Sequence, residues 1–465
     1  MVSPDGKGES VRILNARMPL EDESSYYELV SNGGVWTSII SHAGLVEAPG
    51  SLQPGSLEAA TLNRSDNAEI IIDAGGRLLL PGFVDMHMHL DKAFSISQVG
   101  NASGTLQEAV KNYGAASQRF SKDEIKRRII RAALSAVAFG TTRIRSHLDF
   151  DLSAGTEVAF RTVLAALEAR ESLQGIVDIQ FFPMLPAGIA SPSAEEIVKE
   201  VLTLGMDGLG GAPHMSETPE ADIAWIFRTA VEHDCPVDLH CDESDDPSVN
   251  TLKPILAQTK LHGYEKRVTV DHLCALSPKP QAEAEALIDE MVDARVGAVT
   301  LPAANLYLQG RKDRGLVRRG TTRIRELLEA GIPLATASDN IQDPFHPFGQ
   351  GDLLQIGLLT AYAGHLASRE DLRKLLRMIT VVPAFNMGMA DYGIRVGSPT
   401  EFVLVDALSI EEMFTTSAFG RWVYRGGDWV HLSRRSGQWA RPKLSCMWAD
   451  AAASREEQQR ISIQE

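Results

Sequence analysis

Eight short apolar runs, each closed by polar residues, recur through the middle of this chain. They are VDMHMH (84–89), TRIRSHLD (142–149), VDIQFFP (177–183), GLGGAPH (208–214), VDLHCDE (237–243), VTVDHLC (268–274), VGAVTLPA (296–303) and PLATASDN (333–340). Between most of them apolar residues return at intervals of three and four, over Lys122 to Phe139, Glu157 to Leu173, Ser193 to Leu204, Thr218 to His233, Gln281 to Ala294 and Thr321 to Glu329. Strands alternating with helices give an α/β protein with a parallel sheet, either closed or open and doubly wound. The count of eight units favours the closed form, a (β/α)8 TIM barrel over residues 76–391.

The flanks have a different texture. Val11 to Leu14, Tyr27 to Val30, Val35 to Ile40 and Glu69 to Ile72 are strand-like pieces separated by Gly, Ser, Asn and Pro. Glu401 to Val405 and Trp422 to Tyr424 echo them, with Gly426-Gly427-Asp428 as a hairpin turn. Chain ends often lie near one another, so residues 1–75 and 392–449 are expected to form one small β-sandwich-like domain, followed by a C-terminal tail at 450–465.

Charge and composition remove several classes of function. With 45 Lys and Arg against 61 Asp and Glu the net charge is −16, and the basic residues are scattered, which speaks against a nucleic-acid partner. No apolar run reaches membrane-spanning length, so no membrane partner is expected. The polar start MVSPDGKGES does not read as a signal peptide, and Cys235, Cys241, Cys274 and Cys446 form neither a disulfide framework nor a zinc clip. These features suit a cytoplasmic protein; a homo-oligomer stays open.

In a barrel, reactive side chains gather at the carboxyl ends of strands. Six of the twelve histidines close one of the eight runs: His87, His89, His147, His214, His240 and His272. Residues i and i+2 of a strand share a face, so His87 and His89 project together and can grip one metal ion. Cys241 neighbours His240 and faces away from it, as a packed thiol rather than a nucleophile.

The segment LPGFVDMHMHLDKAF (80–94) resembles the first strand of the amidohydrolase superfamily. LHCDESDD (239–246), VDHLCALS (270–277), LPAANLYLQGRKDRG (301–315) and ASDNIQDPF (337–345) resemble its cytosine deaminase branch, which includes hydrolases of aminated triazines. The resemblance implies that His87, His89, His240 and Asp339 hold one divalent metal ion, Zn or Fe, which activates a water. A bridging lysine closing the fourth strand, as binuclear relatives have, is absent from GLGGAPH; Lys92 either lines the barrel mouth or is solvated. Asp339 would also accept the proton of the water. Glu243 would be the proton shuttle, protonating the ring nitrogen and then the departing amine, which requires the fifth strand to end or bend after His240; otherwise it is a surface carboxylate. His272 would bond the forming oxyanion or a ring carbonyl, or ligate a second metal. Asp242 and Asp271 either orient neighbouring imidazoles or are structural. His147 and His214 line the cavity without an assigned task.

Four positions touch the substrate in this reading: Phe345, Asn340, Pro186 and His346, the last in a loop that could cap the pocket. Cytosine deaminase has a ring-reading glutamine where this chain has Pro186 or Met184, an aspartate where it has Asn340, and a tryptophan where it has Phe345. A site that cannot hydrogen-bond a ring does not select that ring, so cytosine itself is disfavoured. The expected function is metal-dependent hydrolytic deamination of a small planar N-heterocycle, cytosine-like, isocytosine-like or amino-triazine- or purine-like. The alternatives are hydrolysis of a cyclic or acyclic C–N amide at the same site, and a non-catalytic binding barrel.

Overall fold

A computed structural model of the chain describes residues 10–47, 50–54, 70–190, 192–315, 317–433 and 437–451. It divides into two compact units, residues 1–80 with 394–465, and residues 81–393. The expected tail at 450–465 falls outside the described residues except for its first two, and Glu69 also lies outside them.

The larger unit is the barrel. Its strands are β6 (Phe83–Met88), β7 (Thr141–Asp149), β8 (Asp178–Leu185), β9 (Leu209–Gly211), β10 (Val237–Cys241), β11 (Val268–His272), β12 (Gly297–Thr300) and β13 (Leu334–Thr336), each parallel to the next in chain order. The ladder closes between Met88 and Asp339, a parallel bridge just past the end of β13, where the Asp339 N–H donates to the His87 carbonyl at 2.9 Å. Helices take up the gaps. In Lys122–Ala138, Ser121 caps the first turn by accepting from the Glu124 N–H, and Ile125, Ile129, Ala132, Ala133, Ala136 and Val137 are buried. The short β9 runs close beside the His147 ring. A Cβ on Gly210 would come within 3.2 Å of His147 Nδ1 and of the Pro183 carbonyl, so a larger residue there would require the ring or the neighbouring strand to shift by a few tenths of an ångström.

The smaller unit is a mixed sheet in the order β16-β15-β14-β5-β1-β2-β3, with β4 on β1. Its strands are β1 (Val11–Met18), β2 (Asp22–Asn32), β3 (Val35–His42), β4 (Ile70–Asp73), β5 (Leu78–Leu80), β14 (Phe402–Val405), β15 (Arg421–Arg425) and β16 (Asp428–Leu432). The sheet takes in Leu78–Leu80, which the sequence placed in the barrel, because these residues pair with Val403–Val405 and Arg17. It also doubles back on itself. Trp36 of β3 packs on Phe402 of β14 with ring centroids 5.7 Å apart, although four strand steps separate them, so the two halves share one apolar core in sandwich fashion. Gly426 and Gly427, at φ 64° and 89°, make the two-residue turn between β15 and β16.

Phe402 is fully buried, stacked on Tyr424 and edge-on to Trp429. Phe402→Ala is expected to destabilise this unit by about 3–5 kcal/mol. Denaturant titration followed by tryptophan fluorescence checks this, since Trp36, Trp422 and Trp429 all report from that core.

Candidate metal and catalytic site

The ends of β6, β10 and β13 bring His87, His89, His240 and Asp339 side by side. His89 Nδ1 faces the His147 carbonyl at 3.1 Å, an acceptor only, so Nδ1 carries the proton and Nε2 presents a lone pair. That lone pair meets His240 Nε2 at 3.2 Å and Asp339 Oδ1 at 3.4 Å, and Asp339 Oδ1 is 3.7 Å from His87 Nε2. Asp271 Oδ2 lies 2.9 Å from His87 Nδ1 on the far side of the ring. Burial lowers the pKa of all three imidazoles, which favours the neutral, ligating form.

This donor set fits a divalent cation. His87 Nε2 and Asp339 Oδ1 are buried with no hydrogen-bond partner in the protein, and burial pushes the Asp339 carboxyl up to about 8, against the pull of His87. A cation between these atoms would satisfy the orphaned groups and favour the carboxylate. Among the described residues, the sets whose ligand atoms all lie within 4.8 Å of one another are His87, His147, His240 and Asp271, and His87, His272 and Asp339; His89 joins neither and stands at the edge of the cluster, against His240 and Asp339. The fourth strand, Leu209–Gly211, carries no lysine or other bridging side chain.

Glu243 reaches the same point through a backbone reversal. β10 stops at Cys241, and Asp242 takes a left-handed conformation (φ 51°). Its carboxylate is pinned by the Thr251 N–H and hydroxyl, both at 2.6 Å, so Asp242 is a structural clasp and orients no imidazole. The turn brings Glu243 back over the barrel mouth, where burial pushes its carboxyl up to about 8, with Lys92 opposing. Its Oε1 is 3.6 Å from His272 Nδ1. The Asn305 amide nitrogen lies 3.0 Å from that same Nδ1, which therefore accepts; the proton of His272 sits on Nε2, buried and without a protein partner.

A cavity of about 400 Å³ opens over this cluster. His89, His240, Glu243, His272 and Asp339 line one side; Tyr113, Phe150, Met184, Leu185, Pro186 and Phe345 line another. Phe345, Asn340 and Pro186 thus reach the cavity as expected, with the Asn340 amide donating to Asp343 at 2.7 Å. His346 does not line it. The ring turns toward Tyr307 and Phe348, with Nδ1 3.2 Å from the Asn340 carbonyl, because Asp343 accepts from the Phe345 and His346 N–H groups and fixes the loop that way. His147 is fully buried beneath the cluster and His214 braces the His240 carbonyl at 3.0 Å; neither lines the cavity. Lys92 does, only 5% exposed, with its ammonium 3.7 Å from Asp149 and facing the Phe345 and Tyr113 rings.

Sequence reasoning gave no role to Asn305, Asp149, Asp343 or Tyr113. Asn305 and Asp343 stood inside quoted motifs and Asp149 closed the second run, so position was a usable signal for those three. Tyr113 comes from a helix, Leu106–Ser117, inserted between β6 and β7 outside the regular alternation.

An eight-stranded parallel barrel with a His/Asp cluster at the carboxyl ends of its strands defines a hydrolytic barrel enzyme. This chain belongs to the Amidohydrolase family, which it matches over residues 71–124 and 98–431, and is a hydrolase of carbon–nitrogen bonds. It is 30% identical over 431 residues to the pterin deaminase of Rhizobium rhizogenes strain K84, covering 90% of this chain and 94% of that protein. It is 31% identical over 351 residues to the N-isopropylammelide isopropyl amidohydrolase of Pseudomonas sp. strain ADP, covering 73% and 82%. Among solved structures, 5-methylcytosine deaminase from Klebsiella pneumoniae bound to 5-fluorocytosine superposes with a TM-score of 0.83 at 27% identity, covering 93% of this chain and all of that one.

Cys241 is fully buried, its sulfur 3.7 Å from the Thr251 hydroxyl, and burial raises its pKa, which makes it inert; Cys235 and Cys274 are buried as well. Under native conditions a thiol reagent is expected to label Cys446 alone, and all four cysteines after denaturation, as read by mass spectrometry.

Proposed function

We propose that this protein is a metal-dependent deaminase of a small planar amino-substituted N-heterocycle. The observation that carries the reading is the cluster of buried histidines and Asp339 at the strand ends, with the Glu243 carboxyl and the His272 imidazole beside it, opening on a cavity also lined by Tyr113, Phe150 and Phe345. His87, His89, His240 and Asp339 would hold one divalent cation, zinc or iron. When bound, the cation supplies Lewis acidity that makes a water nucleophilic at neutral pH.

The protein's own groups do the rest. Asp339, left-handed and buried, accepts a proton from the attacking water. Glu243 relays the two protons of the water, the first to the ring nitrogen and the second, released as the added hydroxyl becomes the carbonyl, to the departing amine, a task suited to a carboxyl whose affinity for protons burial has raised. His272 Nε2–H donates to the oxyanion or to a ring carbonyl. Phe345 and Tyr113, with the Lys92 ammonium over their rings, and Phe150 line the cavity where a flat ring would sit. Pro186 offers no side-chain amide to read a cytosine edge. The likeness to a pterin deaminase and to an N-isopropylammelide amidohydrolase supports testing pterins and triazines first.

The second reading, amide-type C–N hydrolysis, is favoured by the likeness to the isopropylammelide enzyme. Product analysis over pterins, purines, pyrimidines and triazines separates the two: ring deamination releases free ammonia, whereas amide cleavage yields an alkylamine or a ring-opened acid. Glu243→Gln is expected to lower kcat by about 10²–10⁴-fold while elemental analysis finds the metal retained; unaffected turnover refutes the shuttle. Treatment with a chelator is expected to abolish activity, and zinc or ferrous iron to restore it.

A further inference from the structure

Beneath the candidate metal cluster the barrel encloses a line of charged groups that the proposed chemistry does not use. Arg145, in the middle of β7, is 1% exposed. Its guanidinium donates to Asp238 Oδ2 at 2.5 Å and to Gln180 Oε1 at 2.9 and 3.1 Å, and lies 4.4 Å over the Phe182 ring. Asp238 and Asp271, on neighbouring strands and both fully buried, flank a single nitrogen: His147 Nε2 is 3.8 Å from Asp238 Oδ1 and 3.7 Å from Asp271 Oδ2. Asp271 Oδ2 then lies 2.9 Å from His87 Nδ1, an ion-pair contact without hydrogen-bond alignment.

Apolar side chains of similar volume would pack here without the cost of desolvating these groups. Burial raises the pKa of both carboxyls, which hydrogen-bond to each other, and Arg145, bonded to Asp238, opposes that rise in both. A carboxylate held against one nitrogen of a ligating imidazole fixes which nitrogen faces the metal and strengthens it as a donor.

We propose that Arg145 is a positioning residue for the metal centre: acting through Asp238, it holds Asp271 against His87 Nδ1 and so sets the orientation and donor strength of His87 Nε2. The inference rests on the metal site proposed above.

The test is a double-mutant cycle on the full-length chain, stripped of metal and titrated with Co(II) and Zn(II) against a chromophoric chelator. Arg145→Met and Asp271→Asn are each expected to weaken metal affinity about 10–100-fold and to shift the visible absorption of the Co(II) form. The double variant should lose little more than either single one, because both break the same connection. Arg145→Lys, which keeps the charge, should retain most of the affinity, and it replaces Arg145→Met in the cycle if that variant does not fold. Additive losses, or wild-type affinity and spectrum in Arg145→Met, would overturn the proposal. A wild-type chain that takes up neither ion would instead overturn the metal site itself.

Discussion

The barrel closes through one short contact, and the candidate site is built on it. The Asp339 N–H donates to the His87 carbonyl at 2.9 Å, and Met88 and Asp339 form the bridge that joins the last strand to the first. The same few residues therefore complete the sheet and carry candidate ligands, so the distance between His87 and Asp339 is set by backbone hydrogen bonding and not by side-chain reach. Val84, Met86, Val299, Leu301, Ala335 and Ala337, all buried, form a cluster under this seam. A cation there would join the two edges that the backbone links only once.

Three polar residues of the site region occupy backbone conformations that non-glycine residues seldom adopt. Asp242, His272 and Asp339 have φ of 51°, 65° and 62°, and follow or end β10, β11 and β13. Each costs of order 1–3 kcal/mol and persists because its surroundings hold it: Thr251 clasps Asp242, Asn305 meets His272, and the seam fixes Asp339. The reversals turn side chains that a regular strand would send into the wall back over the cavity. Glu243 reaches the site only because Asp242 yields in this way.

The strand ends were legible in the sequence because a barrel imposes a simple rule: polar residues that close apolar runs face its mouth. His87, His89, His240, His272 and Asp339 obey it, and the structure brings them together. Glu243 was legible only as a demand for a bend, which the resemblance supplied and local geometry satisfies. The rule failed for His147, which is buried beneath the cluster, and for His214, which lies beyond its strand and bonds the His240 carbonyl; the expected capping role of His346 failed separately, because Asp343 fixes its loop the other way. It could not place Lys92, whose burial depends on Asp149 and two aromatic rings brought in from elsewhere in the chain. Nor could it see the Arg145–Asp238 pair, since a charged residue in mid-strand reads as an outward-facing one until the barrel closes around it.

The smaller unit has its own consequence for how the chain is made. Its sheet sets β5, from the first 80 residues, directly against β14, from beyond residue 400, and its core pairs Trp36 with Phe402. During vectorial synthesis the early strands emerge with their apolar face uncovered and stay so while more than three hundred further residues are translated. The barrel, continuous in sequence, can fold within that interval. Completion of this sheet therefore waits on β14 to β16, the last strands to be made, and until they pair the edge of β5 that they cover stays open.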